Sequence, residues 1–123
     1  MKSILLIEDD PFLIDIYSQK FKNGGFNIIV AENATKAFQF LEQEVPNVIL
    51  LDIVLPQMDG WAVLKKIRAN KNWDSCFIVI FSNLSQKEEV EKGLKLGANR
   101  YLIKSQHTPL EVVKEVETIL ANC

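Results

Sequence analysis

Five short apolar runs recur along the chain, and stretches of helical length separate them. The runs cover residues 4–7, 27–31, 48–51, 77–81 and 101–103. Their lengths and their many β-branched side chains are typical of buried strands. Between the first two runs, Phe12, Ile16 and Phe21 mark one helical face, while polar and charged residues fill the others. The pattern predicts five strands that alternate with five helices.

Capping residues mark where the predicted helices begin and end. Asp10 followed by Pro11 offers an N-cap and a proline at the first helical position. Gly60, after the capping residue Asp59, is expected to free the geometry of its turn. The other signals are an N-cap at Asn33, capping boxes at Ser85 to Glu88 and Thr108 to Glu111, and a C-terminal stop at Gly24-Gly25.

Alternation of strands and helices predicts an α/β fold in which a doubly wound parallel sheet carries helices on both faces. Parallel neighbours need crossover connections, usually made by helices, and these connections are right-handed in nearly all such folds. Because no linker or repeat interrupts the pattern, residues 1–123 are expected to form one domain. Ligands bind such sheets outside the carboxyl ends of the strands, so the residues that follow each strand are the candidates for function.

Composition and charge narrow the function classes without choosing among them. Hydrophobic residues make up 48% of the chain and charged residues 24%, as in ordinary globular proteins. The net charge of -2 comes from interspersed acidic and basic residues, so direct nucleic-acid binding is not expected. No apolar run approaches the roughly 20 residues that span a bilayer. No leader pattern precedes the first strand, so a cytoplasmic location without membrane contact is expected.

Several residues with reactive or aromatic side chains carry less information. Cys76 and Cys123 are isolated, and both are interpreted as free thiols. His107 precedes a predicted helix start and is interpreted as a solvated or capping side chain. Trp61 and Trp73 fit either a core or an interface.

Polar residues follow four of the five predicted strands. They are Glu8, Asp9 and Asp10 after the first, Asp52 after the third, Ser82 and Asn83 after the fourth, and Lys104 and Ser105 after the fifth. Because the carboxyl ends of parallel strands share one edge of the sheet, these side chains are expected to converge. Asp10 is assigned to capping, since acidic residues favour a helix N-terminus.

Three converging carboxylates predict a Mg²⁺ site. Crowded carboxylates in a cleft repel one another unless a cation lowers the cost, and Mg²⁺ prefers oxygen ligands. Asp9 and Asp52 are predicted as direct ligands, Glu8 as a water-mediated ligand, and the Val54 backbone carbonyl as a fourth contribution. The absence of sulfur and imidazole ligands at this edge disfavours Zn²⁺.

Lys104 and Ser82 extend this site towards phosphoryl chemistry. A lysine and a hydroxyl beside the acidic pocket can bind phosphoryl oxygens, and a carboxylate nucleophile in this pocket would yield an acyl phosphate. Three functions remain open: a phosphorylated switch, a Mg²⁺-dependent phosphatase or phosphotransferase, and a binding module that is never phosphorylated. The absence of an acid/base carboxylate at Val54, two residues beyond Asp52, argues against the enzyme.

Four segments resemble the CheY-like response-regulator receiver family, in its stand-alone, single-domain form, over essentially the whole chain. They are residues 4–10 (ILLIEDD), 48–60 (VILLDIVLPQMDG), 80–83 (IFSN) and 97–104 (GANRYLIK). The resemblance implies a flavodoxin-like three-layer sandwich with strand order 2-1-3-4-5. It also implies a two-component or phosphorelay switch that signals through altered protein contacts, rather than an enzyme that turns over free substrates.

The resemblance also assigns roles to residues and partners. It implies that Asp52 accepts the phosphoryl group, that Glu8 and Asp9 form the acidic pair of the metal site, and that Ser82 and Lys104 sense the phosphoryl group. Ser82 and Tyr101 are implied as switch residues, although an aromatic side chain in a strand also fits the core. A sensor histidine kinase or a histidine phosphotransfer protein is implied as the donor, with an unidentified protein as the target. Homodimerisation through the fourth helix, fifth strand and fifth helix is a further expectation.

Two departures from the family pattern affect these expectations. Ser105 follows Lys104 where the family usually has proline, which leaves both a trans and a cis peptide bond open. Val54 and Leu84 occupy the two positions that flank the phosphoryl group in the family. Both are apolar and cannot orient an attacking water, so slow self-dephosphorylation is predicted.

Overall fold

The computed structural model describes residues 1–122 and contains the predicted alternation of strands and helices. All five strands are parallel and follow the order β2-β1-β3-β4-β5. The elements are β1 (Ser3–Ile7), α1 (Pro11–Asn23), β2 (Asn27–Ala31), α2 (Ala34–Gln43), β3 (Val48–Leu51), α3 (Gly60–Ala69), β4 (Phe77–Ser82), α4 (Lys87–Lys95), β5 (Arg100–Ile103) and α5 (Pro109–Ala121). Short 3₁₀ turns at Lys71–Trp73 and Lys104–Gln106 precede β4 and α5. The predicted fold class and strand order are confirmed.

Alternating strand residues feed two hydrophobic cores, one on each face of the sheet. In β1, Leu5 and Ile7 pack with residues of α2 and α3, whereas Ile4 and Leu6 pack with residues of α1 and α5. All residues of β1 and β3 are buried, because a central parallel strand has helices over both faces. The two cores fix the strand ends relative to one another and thereby position the site.

Most of the predicted helix caps are present. Asp10 accepts a hydrogen bond from the Phe12 N–H at 2.9 Å, and Thr108 and Glu111 form the predicted reciprocal capping box. Asn33 and Asp59 cap α2 and α3, and α1 ends at Gly24, followed by Gly25 with a φ of 86°.

The predicted capping box at the start of α4 is wrong by one residue. Gln86 is the N-cap, and its backbone N–H donates to the Glu89 carboxylate at 3.0 Å. Ser85 and Glu88 had the required residue types and spacing, but the backbone stays extended through Gln86, so the helix begins one residue later.

The structure shows the surroundings of Cys76 and of both tryptophans. Cys76 is a buried free thiol, as predicted, whereas Cys123 lies outside the described residues. Trp73 belongs to the core, and its indole N–H donates to the Leu41 carbonyl at 3.1 Å. Trp61 is half-buried on α3. Among residues 1–122, no helix is both long enough and apolar enough to cross a bilayer.

Candidate functional site

Three carboxylates from two neighbouring strands meet at the carboxyl edge of the sheet. Glu8 and Asp9 follow β1, and Asp52 follows β3, whose Leu51 pairs with Ile7. One oxygen from each carboxylate lies within 4.8 Å of the others. Glu8 is only 2% exposed and Asp52 6%, while Asp9 is open to solvent. The predicted convergence of the acidic residues is therefore present.

Lys104 lies across two of these carboxylates. Its Nζ donates to Glu8 Oε1 at 2.6 Å and to Asp52 Oδ2 at 3.0 Å, and its side chain is 13% exposed. Burial lowers the pKa of Lys104, but the two carboxylates outweigh it and raise that pKa above its ordinary value. Burial raises the pKa of Glu8, the nearby Asp52 adds to the rise, and Lys104 opposes it. One lysine does not balance three carboxylates, so the pocket favours a further cation.

Backbone N–H groups fix the orientation of the two buried carboxylates. Glu8 Oε2 accepts from the N–H groups of Asp9 and Asp10 at 3.1 and 3.2 Å. Asp52 Oδ1 accepts from the N–H groups of Ile53 and Val54 at 2.7 and 3.4 Å. Each carboxylate therefore has one oxygen held by its own loop and the other held by Lys104.

A hard divalent cation fits this set of donors. The clustered side chains offer oxygen atoms only, and one of the three carboxylates faces solvent, which leaves room for the waters that Mg²⁺ retains. Val54 lies two residues after Asp52 and exposes 65% of its surface. The role of its backbone carbonyl as a ligand stays a prediction.

The loop between β3 and α3 places Asp52 by close backbone packing. A Cβ atom on Gly60 would lie 2.3 Å from the Asp52 carbonyl oxygen, and the Gly60 N–H donates to the Ile53 carbonyl at 2.7 Å. Gly60 is therefore required for close approach. The prediction that it frees the turn geometry is wrong, because the positive φ of this loop, 69°, falls on Gln57. No pattern in the sequence distinguished these two roles.

Ser82 and Tyr101, the two predicted switch residues, hold the same peptide segment. Ser82 ends β4 and is fully buried, and its Oγ accepts from the Leu84 N–H at 3.3 Å. The Tyr101 hydroxyl donates to the Leu84 carbonyl at 2.7 Å. Burial raises the pKa of Tyr101, Glu89 and Asp52 add to the rise, and the hydrogen bond with the Ser82 side chain opposes it. The backbone of Leu84 is thus a shared partner that the sequence did not indicate.

The remaining candidates after the strands lie apart from this cluster. Asn83 and Ser105 are exposed, and Asp10 is the N-cap of α1, as assigned. No peptide bond within residues 1–122 is cis, so the bond between Lys104 and Ser105 is trans. Lys104 nevertheless reaches both carboxylates from the 3₁₀ turn that follows β5.

Comparisons with known proteins agree with this arrangement. The sequence profile of the response regulator receiver domain matches residues 4–117. The chain is 32% identical over 121 residues to the alkaline phosphatase synthesis transcriptional regulatory protein PhoP of Bacillus subtilis, covering 97% of this chain but 48% of that protein. This chain thus spans about half the length of that relative.

Solved structures give the same result. The receiver domain of the Francisella response regulator 1452 superposes with a TM-score of 0.90 at 26% identity, covering 99% of this chain and 98% of that one. The Mn²⁺-bound form of response regulator Rcp1 gives a TM-score of 0.84 at 28% identity, covering 96% and 93%. The chain belongs to the response regulator receiver domain family, whose members are phosphorylation-dependent switches of two-component signalling.

Proposed function

We propose that Asp52 is the phosphoacceptor of this switch. The carrying observation is the position of its carboxylate, which is buried beside two further carboxylates and 3.0 Å from a lysine ammonium group. Its neighbours match what phosphoryl transfer needs, namely fixed positioning of the nucleophile and neutralisation of charge on the phosphoryl oxygens.

The proposed reaction transfers one phosphoryl group between two proteins. A carboxylate oxygen of Asp52 attacks the phosphorus of a phosphohistidine on a sensor kinase or a phosphotransfer protein. An O–P bond forms, the N–P bond breaks, and the imidazole nitrogen keeps the electron pair and takes up a proton. Lys104 and Ser82 would bind phosphoryl oxygens, since Lys104 lies 3.0 Å from Asp52 and Ser82 ends the strand next to β3 at the same edge of the sheet.

Mg²⁺ is the proposed cofactor of this site. Glu8, Asp9, Asp52 and the Val54 backbone carbonyl would hold it, with Glu8 acting through a water. When bound, the ion neutralises negative charge on the phosphoryl oxygens. The structurally similar response regulator Rcp1 was solved in a Mn²⁺-bound form, which supports a divalent ion in a domain of this fold.

The proposed output is a changed protein surface. A phosphoryl group that draws the Ser82 hydroxyl inward removes the acceptor of the Leu84 N–H, and Tyr101 is bonded to the same residue. The surface of α4, β5 and α5 would then bind an effector protein or a second copy of the chain. We also propose that residues 1–123 act as one receiver domain in the cytoplasm, without direct nucleic-acid or membrane contact.

The domain would not turn over a free substrate. The exposed Val54 and the half-buried Leu84 offer no side chain that could activate water, so the domain would catalyse only its own phosphorylation and a slow dephosphorylation. Replacing Val54 with Asn is expected to shorten the lifetime of the phosphorylated state, measured by phosphate release. An unchanged lifetime would contradict this reasoning.

Incubation with acetyl phosphate and Mg²⁺ tests the proposed function. Incorporation of one phosphoryl group per chain, lost in Asp52→Asn, supports a switch. Continuous release of phosphate at many turnovers per chain would favour the phosphatase alternative. No incorporation would favour a binding module that is never phosphorylated.

A further inference from the structure

An aromatic side chain lies beneath the lysine of the site. The Nζ atom of Lys104 is 5.7 Å from the centroid of the Phe81 ring, within the range of cation–π attraction. Phe81 is 2% exposed and directly precedes Ser82 in β4. Since β4 lies between β5 and the strands that carry the carboxylates, Lys104 must extend past β4 to reach them.

A second ring fixes the orientation of the first. The Tyr17 ring, on α1, meets Phe81 edge to face, with centroids 5.0 Å apart and an angle of 71° between the planes. Tyr17 is 4% exposed, so both rings belong to the packed core that α1 and α5 cover. Close packing against Tyr17 limits rotation of the Phe81 ring, and the ring is held beside the ammonium group of Lys104.

The ring contact differs from the other contacts of Lys104 in one respect. Its two hydrogen bonds go to Glu8 and Asp52, the carboxylates that the proposed function assigns to the cation and the phosphoryl group. Attraction to the face of Phe81 does not depend on the charge of either carboxylate. This attraction would persist when either carboxylate binds a cation or a phosphoryl group.

We propose that Phe81 is a positioning residue for Lys104 and that Tyr17 holds the Phe81 ring in place. The proposal rests on the proposed function, because it assumes that Lys104 binds a phosphoryl oxygen. Phe81 acts through the lysine and touches no reacting atom. Sequence reasoning placed it in a buried strand, where an apolar residue needs no further explanation.

A double-mutant cycle in the full chain tests the proposal. Phe81→Leu is expected to slow phosphorylation by subsaturating acetyl phosphate roughly two- to thirtyfold, the range expected for loss of one cation–π contact. Phe21→Leu is the matched control, because Phe21 lies in the same core and also packs edge to face, on Phe26 at 5.5 Å. It is expected to lower the melting temperature similarly and to leave the rate unchanged.

Lys104→Met completes the cycle and separates positioning from packing. If Phe81 acts through the lysine, adding Phe81→Leu to Lys104→Met leaves the rate unchanged, since coupled residues are not additive. Tyr17→Leu, which removes the second ring, is expected to slow the reaction as Phe81→Leu does.

Three other outcomes would refute the role of Phe81, of Lys104 or of both. A slow Lys104→Met with a wild-type rate in Phe81→Leu refutes the positioning role alone. Equal slowing by Phe81→Leu in both backgrounds, or by Phe21→Leu, shows that the effect is one of packing. A wild-type rate in Lys104→Met refutes the role of the lysine in the proposed function and the inference with it.

Discussion

Removing the charge of Lys104 should destabilise the domain far more than removing the charge of a surface lysine. Lys104→Met keeps a side chain of similar length but deletes the cation that Glu8 and Asp52 share at 2.6 and 3.0 Å. Both carboxylates remain buried, and each keeps only the hydrogen bonds from its own loop. The variant therefore leaves two like charges close together without a counterion.

The expected cost follows from the burial of the three groups. Deleting one partner of a buried ion pair costs about 3–5 kcal/mol, and the 13% exposure of Lys104 places the expected loss near the lower end, at about 3 kcal/mol. Lys87→Met is the matched control, because Lys87 pairs with Glu91 at 3.9 Å with side chains 85% and 62% exposed. An exposed pair of this kind contributes about 0.5 kcal/mol or less.

Urea unfolding with EDTA and then with Mg²⁺ is the assay. Asp52→Asn should cost less than Lys104→Met, since it removes one of the crowded charges and leaves the lysine paired with Glu8. Mg²⁺ should stabilise Lys104→Met more than wild type, because the lysine and the metal ion neutralise the same carboxylates. A loss no larger than that of Lys87→Met, or an equal Mg²⁺ effect in both proteins, would refute the reasoning.

Three further predictions concern the surroundings of the site and the helix caps. Gly60→Ala should cost about 2 kcal/mol or more in urea unfolding, because its Cβ would lie 2.3 Å from a backbone oxygen, and a loss below about 1 kcal/mol would contradict that contact. Burial raises the pKa of the Cys76 thiol, so in a Cys123→Ser variant Cys76 should resist alkylation at neutral pH until denaturant is added. Rapid labelling of the folded protein would disprove this. The hydrogen bonds from Thr108 lower the pKa of Glu111 below its ordinary value of 4.5. Their contribution to stability is therefore present above pH 4.5 and is lost as the pH falls through the lowered pKa of Glu111. Glu111→Gln should lack that part of the acid loss in unfolding measured across this range, and an unchanged pH profile would count against the cap.

The sequence was sufficient to predict the fold and the edge of the sheet that carries the site. Short apolar runs and polar strand ends follow from burial and from parallel topology, so Glu8, Asp52 and Lys104 were found by position alone. Ser82 and Tyr101 were also named from the sequence, but their shared partner was not. Both bind the backbone of Leu84, and backbone atoms leave no signature in a sequence. The sequence also did not predict that the Lys104 side chain bonds to both Glu8 and Asp52.

Predictions of local detail were wrong where the outcome depends on backbone conformation. Only Ser85 to Glu88 has the residue types of a capping box in the sequence, but the position of the N-cap depends on where the backbone stops being extended, which is at Gln86. Gly60 was expected to relieve a turn, yet the positive φ lies on Gln57, since a short loop can place its strained residue at any of several positions. Phe81 gave no signal, because an apolar residue in a buried strand is explained by packing alone.

The identity of the modified residue is the central claim, and reductive trapping tests it directly. The domain is incubated with acetyl phosphate and Mg²⁺, reduced with borohydride, which converts an aspartyl phosphate into homoserine, and digested for peptide mass analysis. Homoserine at position 52, absent when Mg²⁺ is chelated, is the predicted result. Homoserine at Asp9 or elsewhere with position 52 unmodified, or no homoserine in any peptide, would contradict the account.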